Sequence, residues 1–344
     1  MKILVIRFSA LGDVAMTVPV IDSLARQYPN LSITVLSKRF VASLFAQMPT
    51  NVYFYGVNLN DYRGIGGLFR LYKLLKKEHY DVVADLHDVI RTKVLRLFFS
   101  MTGKRVAHID KGRVEKRALC RSRNKQLVQL KTSFERYGEV FYSLGWPITL
   151  NFKSIFGTGK GDVSLFKVIA TPVDGQRWIG VAPFAAHQGK VLPVTIMKEV
   201  ISLLCVDRCN RLFLFGGGDE EKHHLQKMAE GKPQVIVVAG RLTMAGELAL
   251  MSHLNVMVSM DSANMHLASL TGIPVVSVWG ATHPYAGFMG WAQQEKYAVQ
   301  ATLDCRPCSA FGNKPCLRGD YACLRDITAQ EIANKVTSLL PHGL

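Results

Sequence analysis

The chain has no apolar run of about eighteen residues, the length a membrane-spanning helix needs, and its opening segment is interrupted by Arg7 and Asp13, so a secretory signal is not supported. It has no G-x-G-x-x-G and no G-x-x-x-x-G-K-[ST], which sets aside the ordinary dinucleotide-binding and P-loop readings. Low-complexity tracts are missing as well. With 49% hydrophobic and 20% charged residues over 344 positions, the composition is that of a globular protein long enough for two separate cores. The expectation is a soluble, cytoplasmic protein.

Acidic residues are scarce in one half only. Residues 1–160 carry 26 Lys and Arg against 11 Asp and Glu, whereas residues 161–344 carry 16 against 15, so almost all of the net +16 belongs to the first half. The stretch 104–131 alone holds ten basic and two acidic residues with little apolar periodicity, which predicts an exposed basic loop. Such a patch suits a polyanionic partner, whether phosphorylated lipid, membrane surface or nucleic acid, or else is a solvated face with no dedicated partner.

Of seven cysteines, four fall in Cys305-x2-Cys308-x7-Cys316-x6-Cys323. A reducing compartment disfavours disulfides, so these four are either a thiolate zinc site or reduced thiols in a packed loop. Only one pair has the close C-x2-C spacing, where the usual zinc pattern has two.

What is present is an alternation of apolar strand-like runs and helix-like stretches. In the first half strands are predicted at 3–6, 33–36, 52–55, 82–86 and 106–108, with helices at 14–27, 68–78, 91–101 and 134–144. A polar, glycine-containing stretch at 151–162 reads as a linker, after which the rhythm resumes. Strands follow at 178–182, 212–215, 235–238, 256–259 and 275–279, and helices at 195–206, 219–230, 244–253, 262–270 and 329–340. This pattern predicts two α/β domains with parallel sheets covered on both faces, divided as 1–160 and 161–326. The last helix, within 327–344, is placed as packing back toward the first domain. Two Rossmann-like domains facing a cleft are the expected architecture, with the ligand between them.

Four strand-to-helix turns carry polar groups at the carboxyl edges where such sheets bind ligands. The first holds Ser9, Gly12 and Asp13, and Asp13 there is either a helix cap or a catalytic group. The second, 182–193, holds Lys190, a point charge for a phosphate or an exposed loop lysine. The third, Phe215-Gly-Gly-Gly-Asp-Glu220-Glu221, combines close backbone approach with an acid for a ribose hydroxyl, or is a glycine-rich turn with acids complementing a helix N-terminus. The fourth runs Ser259-Met-Asp261-Ser262-Ala263-Asn-Met-His266 and leaves helix amides for a phosphate and a carboxylate for a hydroxyl, or is a well-capped helix with a half-buried histidine.

On Ser9-x-x-Gly12-Asp13-Val, Asp261-x-x-x-x-His266-Leu-Ala, Pro274 and Gly280-Ala-Thr282, the chain resembles glycosyltransferase family 9, the ADP-heptose:lipopolysaccharide heptosyltransferases, along nearly its whole length. The resemblance implies the GT-B architecture and an inverting transfer with Asp13 as general base. It implies donor contacts at Lys190, Glu220, Leu242, Asp261, Ser262, Ala263 and His266, with ADP-heptose as donor. The family commonly has Asp-Thr-Gly where this chain has Asp261-Ser262-Ala263. It also implies a phosphorylated lipopolysaccharide inner-core acceptor, held by Ser9 and Gly12 and by Lys111, Arg113, Lys116, Arg117, Arg121 and Arg123, at the inner face of the inner membrane. No D-x-D motif is present and no metal or other cofactor is expected. The rival readings are a nucleic-acid-binding protein, for which no recognisable binding motif is present, and an inactive family member that assists envelope assembly. The retained Asp13 speaks against the second.

Overall fold

A computed structural model describes residues 1–341. Two compact units divide the chain, one of Met1–Lys111 with Lys131–Ile155, the other of Gly112–Leu130 with everything described from Phe156 onward.

In the first unit the elements are β1 (Lys2–Ile6), α1 (Leu11–Ala15), α2 (Val18–Gln27), β2 (Ser32–Lys38), β3 (Val52–Val57), α3 (Gly64–Lys76), β4 (Val82–Asp85), α4 (Ile90–Ser100) and β5 (Arg105–His108); α5 (Arg113–Leu119) follows in the chain, then α6 (Ser133–Ser143). The sheet is wholly parallel in the order β3-β2-β1-β4-β5, with Ile3 opposite Ile33 on one side and Val82 on the other. Ile3 to Ile6 have no solvent exposure, as expected of a strand whose two faces are both covered. The chain leaves β1 toward β2 and returns past it to β4, so right-handed crossovers put α3 and α4 together on one face. The helix expected at 14–27 is two helices. Pro19 has no N–H to give and sits in the first turn of α2, where that loss is free, so the chain restarts there after Thr17.

The second unit contains β6 (Arg177–Ala182), α7 (Val194–Leu204), β7 (Asn210–Leu214), α8 (Gly218–Ala229), β8 (Val235–Val237), α9 (Met244–Met251), β9 (Val256–Met260), α10 (Ala263–Leu270), β10 (Val275–Val278), β11 (Ala298–Val299), α11 (Ala322–Arg325) and α12 (Ala329–Thr337). Its sheet is parallel in the order β11-β10-β9-β6-β7-β8. Both sheets reverse direction beside their first strand, between β1 and β4 and between β6 and β9.

Helix α12 lies in the second unit, with its apolar stripe, Ile332, Ala333 and Val336, against α7 in the core around Val200 and Ile201. One sequence expectation is corrected: the basic stretch is not a plain loop. It forms α5, and Leu119 and Leu130 pack with Ala286 in a small core of the second unit. The three apolar residues of that contact are too far apart in sequence to show periodicity, which is why the stretch read as solvated.

Candidate active site

The turn after β1 is built on an ion pair. Arg7 is buried and its guanidinium lies 2.6 Å from Oδ2 of Asp13, while a second nitrogen donates to the Leu86 carbonyl at 2.6 Å. The same Oδ2 accepts at 3.1 Å the N–H of Ala10, the residue that opens α1, so Asp13 at the third position supplies the carboxylate half of a capping box. Its other oxygen has no hydrogen-bond partner among the described residues, and the side chain is about one-third exposed. One carboxylate thus anchors the turn with one oxygen and presents the other. The buried Tyr137 hydroxyl donates to the Asp13 carbonyl at 3.3 Å, fixing the backbone behind it.

The turn after β4 completes this edge with residues that the sequence patterns did not single out. Oδ1 of the fully buried Asp85 accepts the N–H groups of His87 and Asp88, both at 2.9 Å. Arg96 pairs with Asp85 at 3.2 Å and Asp88 at 3.4 Å, and the Lys111 ammonium donates to the Asp88 carbonyl at 3.1 Å. The turn aims His87 at Ser9, with Nε2 3.3 Å from Oγ. Burial, reinforced by Arg7 and Lys111, pushes the His87 imidazole down to about 3, so the ring is neutral at physiological pH. Ser9, Gly12, Asp13 and Lys111 are therefore gathered at one switch point of a parallel sheet, with Arg7 and His87 between them.

The second unit has its own charged switch point. Lys190, after β6, lies 2.8 Å from Oδ2 of Asp261, after β9, and both side chains are largely buried. The Thr282 hydroxyl, after β10, donates to that oxygen at 2.8 Å. Ser262 starts α10 and its hydroxyl meets that of Ser259 at 3.3 Å; His266 is buried one turn further on. Glu220 and Leu242 stand on the neighbouring turns after β7 and β8 and do not hydrogen-bond to the Lys190–Asp261 pair. Glu220 is exposed, and it is Glu221 that closes the glycine turn, accepting the Gly217 N–H at 2.7 Å.

The cysteine segment serves this same edge. Arg306, between Cys305 and Cys308, is buried and donates to the carbonyls of Trp279, Gly280, Ala301 and Thr282 and to the Gln300 side chain. It ties down the turn that carries Thr282. Gly312 has φ +73 and a methyl there would sit 2.6 Å from the Lys190 side chain, so glycine lets the segment close over the lysine stem. All seven cysteines are free, and among the described residues no three His, Cys, Asp or Glu side chains stand close enough to hold a metal ion.

The expected acceptor-binding basic residues divide. Lys111 joins the first unit's edge, whereas Arg113, Lys116, Arg117, Arg121 and Arg123 lie on or after α5 with the second unit. Lys116 is buried, with its ammonium 4.3 Å from the Phe288 ring, so it is a packing cation and not an exposed contact. Lys125 donates to the carbonyls of Asp304 at 2.8 Å and Arg306 at 2.7 Å. The four arginines remain exposed.

Glu247, in the first turn of α9, is pushed up to about 7 by burial. Its folded value exceeds its unfolded one, so the stabilisation is complete below about 4.5 and is lost as pH rises through about 7. Glu247→Gln, which cannot ionise, should gain about 2 kcal/mol over the parent at pH 8 and little at pH 5. Urea melts at both values check this, and an equal gain at both would overturn it.

Two parallel α/β units, each with a charged switch point, are the parts of a GT-B glycosyltransferase. The comparisons agree. The profile of glycosyltransferase family 9 (heptosyltransferase) matches residues 68–315, and the chain belongs to that family and is a glycosyltransferase. It is 24% identical over 280 residues to lipopolysaccharide heptosyltransferase 3 of Escherichia coli, covering 79% of this chain and 81% of the relative. Its fold matches the E. coli heptosyltransferase WaaC solved with ADP at a TM-score of 0.69, with 19% identity over 98% of this chain and 100% of the other. The E. coli ADP-heptose lps heptosyltransferase II matches at 0.71, with 20% identity over 98% of each.

Proposed function

We propose that this protein transfers a heptose from ADP-heptose to an anionic inner-core sugar of a lipopolysaccharide precursor, with inversion at the anomeric carbon. The observation that carries the reading is Asp13, whose carboxylate is held by Arg7 and Ala10 through one oxygen and open at the other. In this reading the open oxygen takes the proton of the acceptor hydroxyl as the hydroxyl's own oxygen bonds to the anomeric carbon. The bond from that carbon to the diphosphate breaks, and ADP leaves with its electron pair. Lys190 and the first amides of α10 receive the departing charge. These are fixed groups that need no reorganisation, so the proposal assigns no step to a metal. Ser9 and His87 orient the acceptor hydroxyl, and Lys111 meets its anionic substituents. A lipid-borne acceptor puts the enzyme at the cytoplasmic face of the inner membrane.

A thermal-shift series in chelating buffer tests the donor class, because only a ligand that prefers the folded state raises its stability. ADP and ADP-heptose should raise the melting temperature by several degrees, with UDP and GDP inert. Equal shifts for all three diphosphates would overturn the adenine assignment.

A further inference from the structure

Helices α3 and α4 lie side by side and are stitched by aromatic rings, Phe69 against Phe98 at 5.4 Å and Tyr72 against Phe99 at 5.0 Å. Their outer surface mixes exposed cations, among them Arg70, Lys73, Lys76 and Lys93, with more large apolar side chains than a water-facing helix pair should carry. Ile90, Leu97 and Met101 are 84%, 56% and 74% exposed, and with the half-buried Val94 they follow the 4-3-4 spacing of a single helical stripe. Phe69 adds a further exposed ring from α3. At the carboxyl ends of both helices lies a cavity of about 400 Å³ whose walls include Lys73, Lys76, Lys77 and Lys104 around Tyr80 and Phe99. Among the described residues none of these four lysines forms an ion pair. Lys73 also lies 4.8 Å from the Phe69 ring, which links the cavity to the apolar stripe.

We propose that this face docks on an anionic phospholipid bilayer, with the α4 stripe and Phe69 entering the interface and the four-lysine cavity receiving a lipid phosphate. An exposed apolar stripe flanked by ammonium groups is complementary to such a surface in both respects. A second copy of the chain fits poorly, because a two-fold contact would set the same lysines against each other. Nucleic acid would use the lysines but gain nothing from Ile90, Leu97 and Met101. Because α4 starts directly after the Asp85–Asp88 turn, a bilayer along this face runs from the cavity to the edge that carries His87 and Asp13. The proposal does not depend on the identity of the donor, and its test involves no turnover.

The test is co-sedimentation of the full chain with neutral phosphatidylcholine vesicles and with vesicles that also contain phosphatidylglycerol. Binding should require the anionic lipid and weaken with salt. Replacing Lys73, Lys76, Lys77 and Lys104 by Gln should lower the partition coefficient by at least a hundredfold, given about fivefold per lysine at the surface. Leu97→Ser with Met101→Ser should weaken it at least tenfold. Amine footprinting of the unaltered protein avoids any question of folding. Vesicles should protect Lys73, Lys76, Lys77 and Lys104 and leave Lys198 and Lys227 as reactive as before. Equal binding to neutral vesicles, partition of the lysine variant within threefold of the parent, unchanged footprints, or self-association or oligonucleotide binding through these lysines in place of vesicle binding would overturn the proposal.

Discussion

Asp13→Asn is expected to lower kcat by about a thousandfold while leaving ADP affinity within twofold, since general-base groups contribute on the order of 10² to 10⁴ in rate. Asparagine keeps the side-chain volume and still accepts the Ala10 N–H, so the geometry of α1 survives. What it loses is the basic oxygen and the charge opposite Arg7. The buried guanidinium is then left without its carboxylate, and a fall of about 1–3 kcal/mol in stability should accompany the kinetic loss. The two effects separate cleanly, because the melting temperature reports the ion pair and the saturated rate reports the proton transfer. Turnover within fivefold of the parent, on protein shown to be folded, would remove Asp13 from the role of base.

Lys190→Met has the largest expected effect on the folded state. Asp261 is almost completely buried, and its carboxylate is matched by the Lys190 ammonium and the Thr282 hydroxyl. Removing one partner of such a pair costs about 3–5 kcal/mol, because the remaining charge is stranded out of water. ADP affinity should also fall by about ten- to a hundredfold, the worth of one charge-assisted contact to phosphate. Lys190→Met combined with Asp261→Asn distinguishes the two contributions. The double variant should recover most of the stability and none of the ADP affinity. Recovery of both would mean that the lysine serves only to neutralise Asp261.

Most of the architecture could be read from the sequence because parallel strands buried on both faces must be nearly continuous apolar runs. The stretches 3–6, 82–86, 178–182 and 256–259 have that form, and they became the strands on either side of the two switch points. Lys190 and Asp261 were legible as members of separate turns, yet nothing in the chain order says that they touch; strand order brings them together. Arg7 was visible only as an interruption of an apolar strand. That interruption was its signal, since a cation at the end of a buried strand must find a counter-charge, and Asp13 is six residues on. His87, Asp85 and Arg96 carried no such pattern: their network closes within residues 85–96, and the approach of His87 to Ser9 exists only because β4 pairs with β1. The cysteine segment was read for its thiols, and the arginine between them and the glycine beyond, which hold the Thr282 turn and the Lys190 stem, gave no signal of their own. The basic stretch misled for a physical reason: positive charge dominates its composition, but Leu119 and Leu130 decide where it goes.

That last segment determines how the protein could be taken apart. The natural seam for exchanging halves with a relative is the polar stretch near residue 155, where the chain passes finally into the second unit. A chimaera joined there would receive a second unit stripped of its own α5. Ala286 would lose its cover, and the carbonyls of Asp304 and Arg306 would lose the ammonium that Lys125 supplies. Those carbonyls border the turn that Arg306 holds in place beside Asp261. The transplantable part of this enzyme is therefore two stretches of sequence, and an exchange that moves only the longer one would inherit the Lys190–Asp261 edge without its buttress.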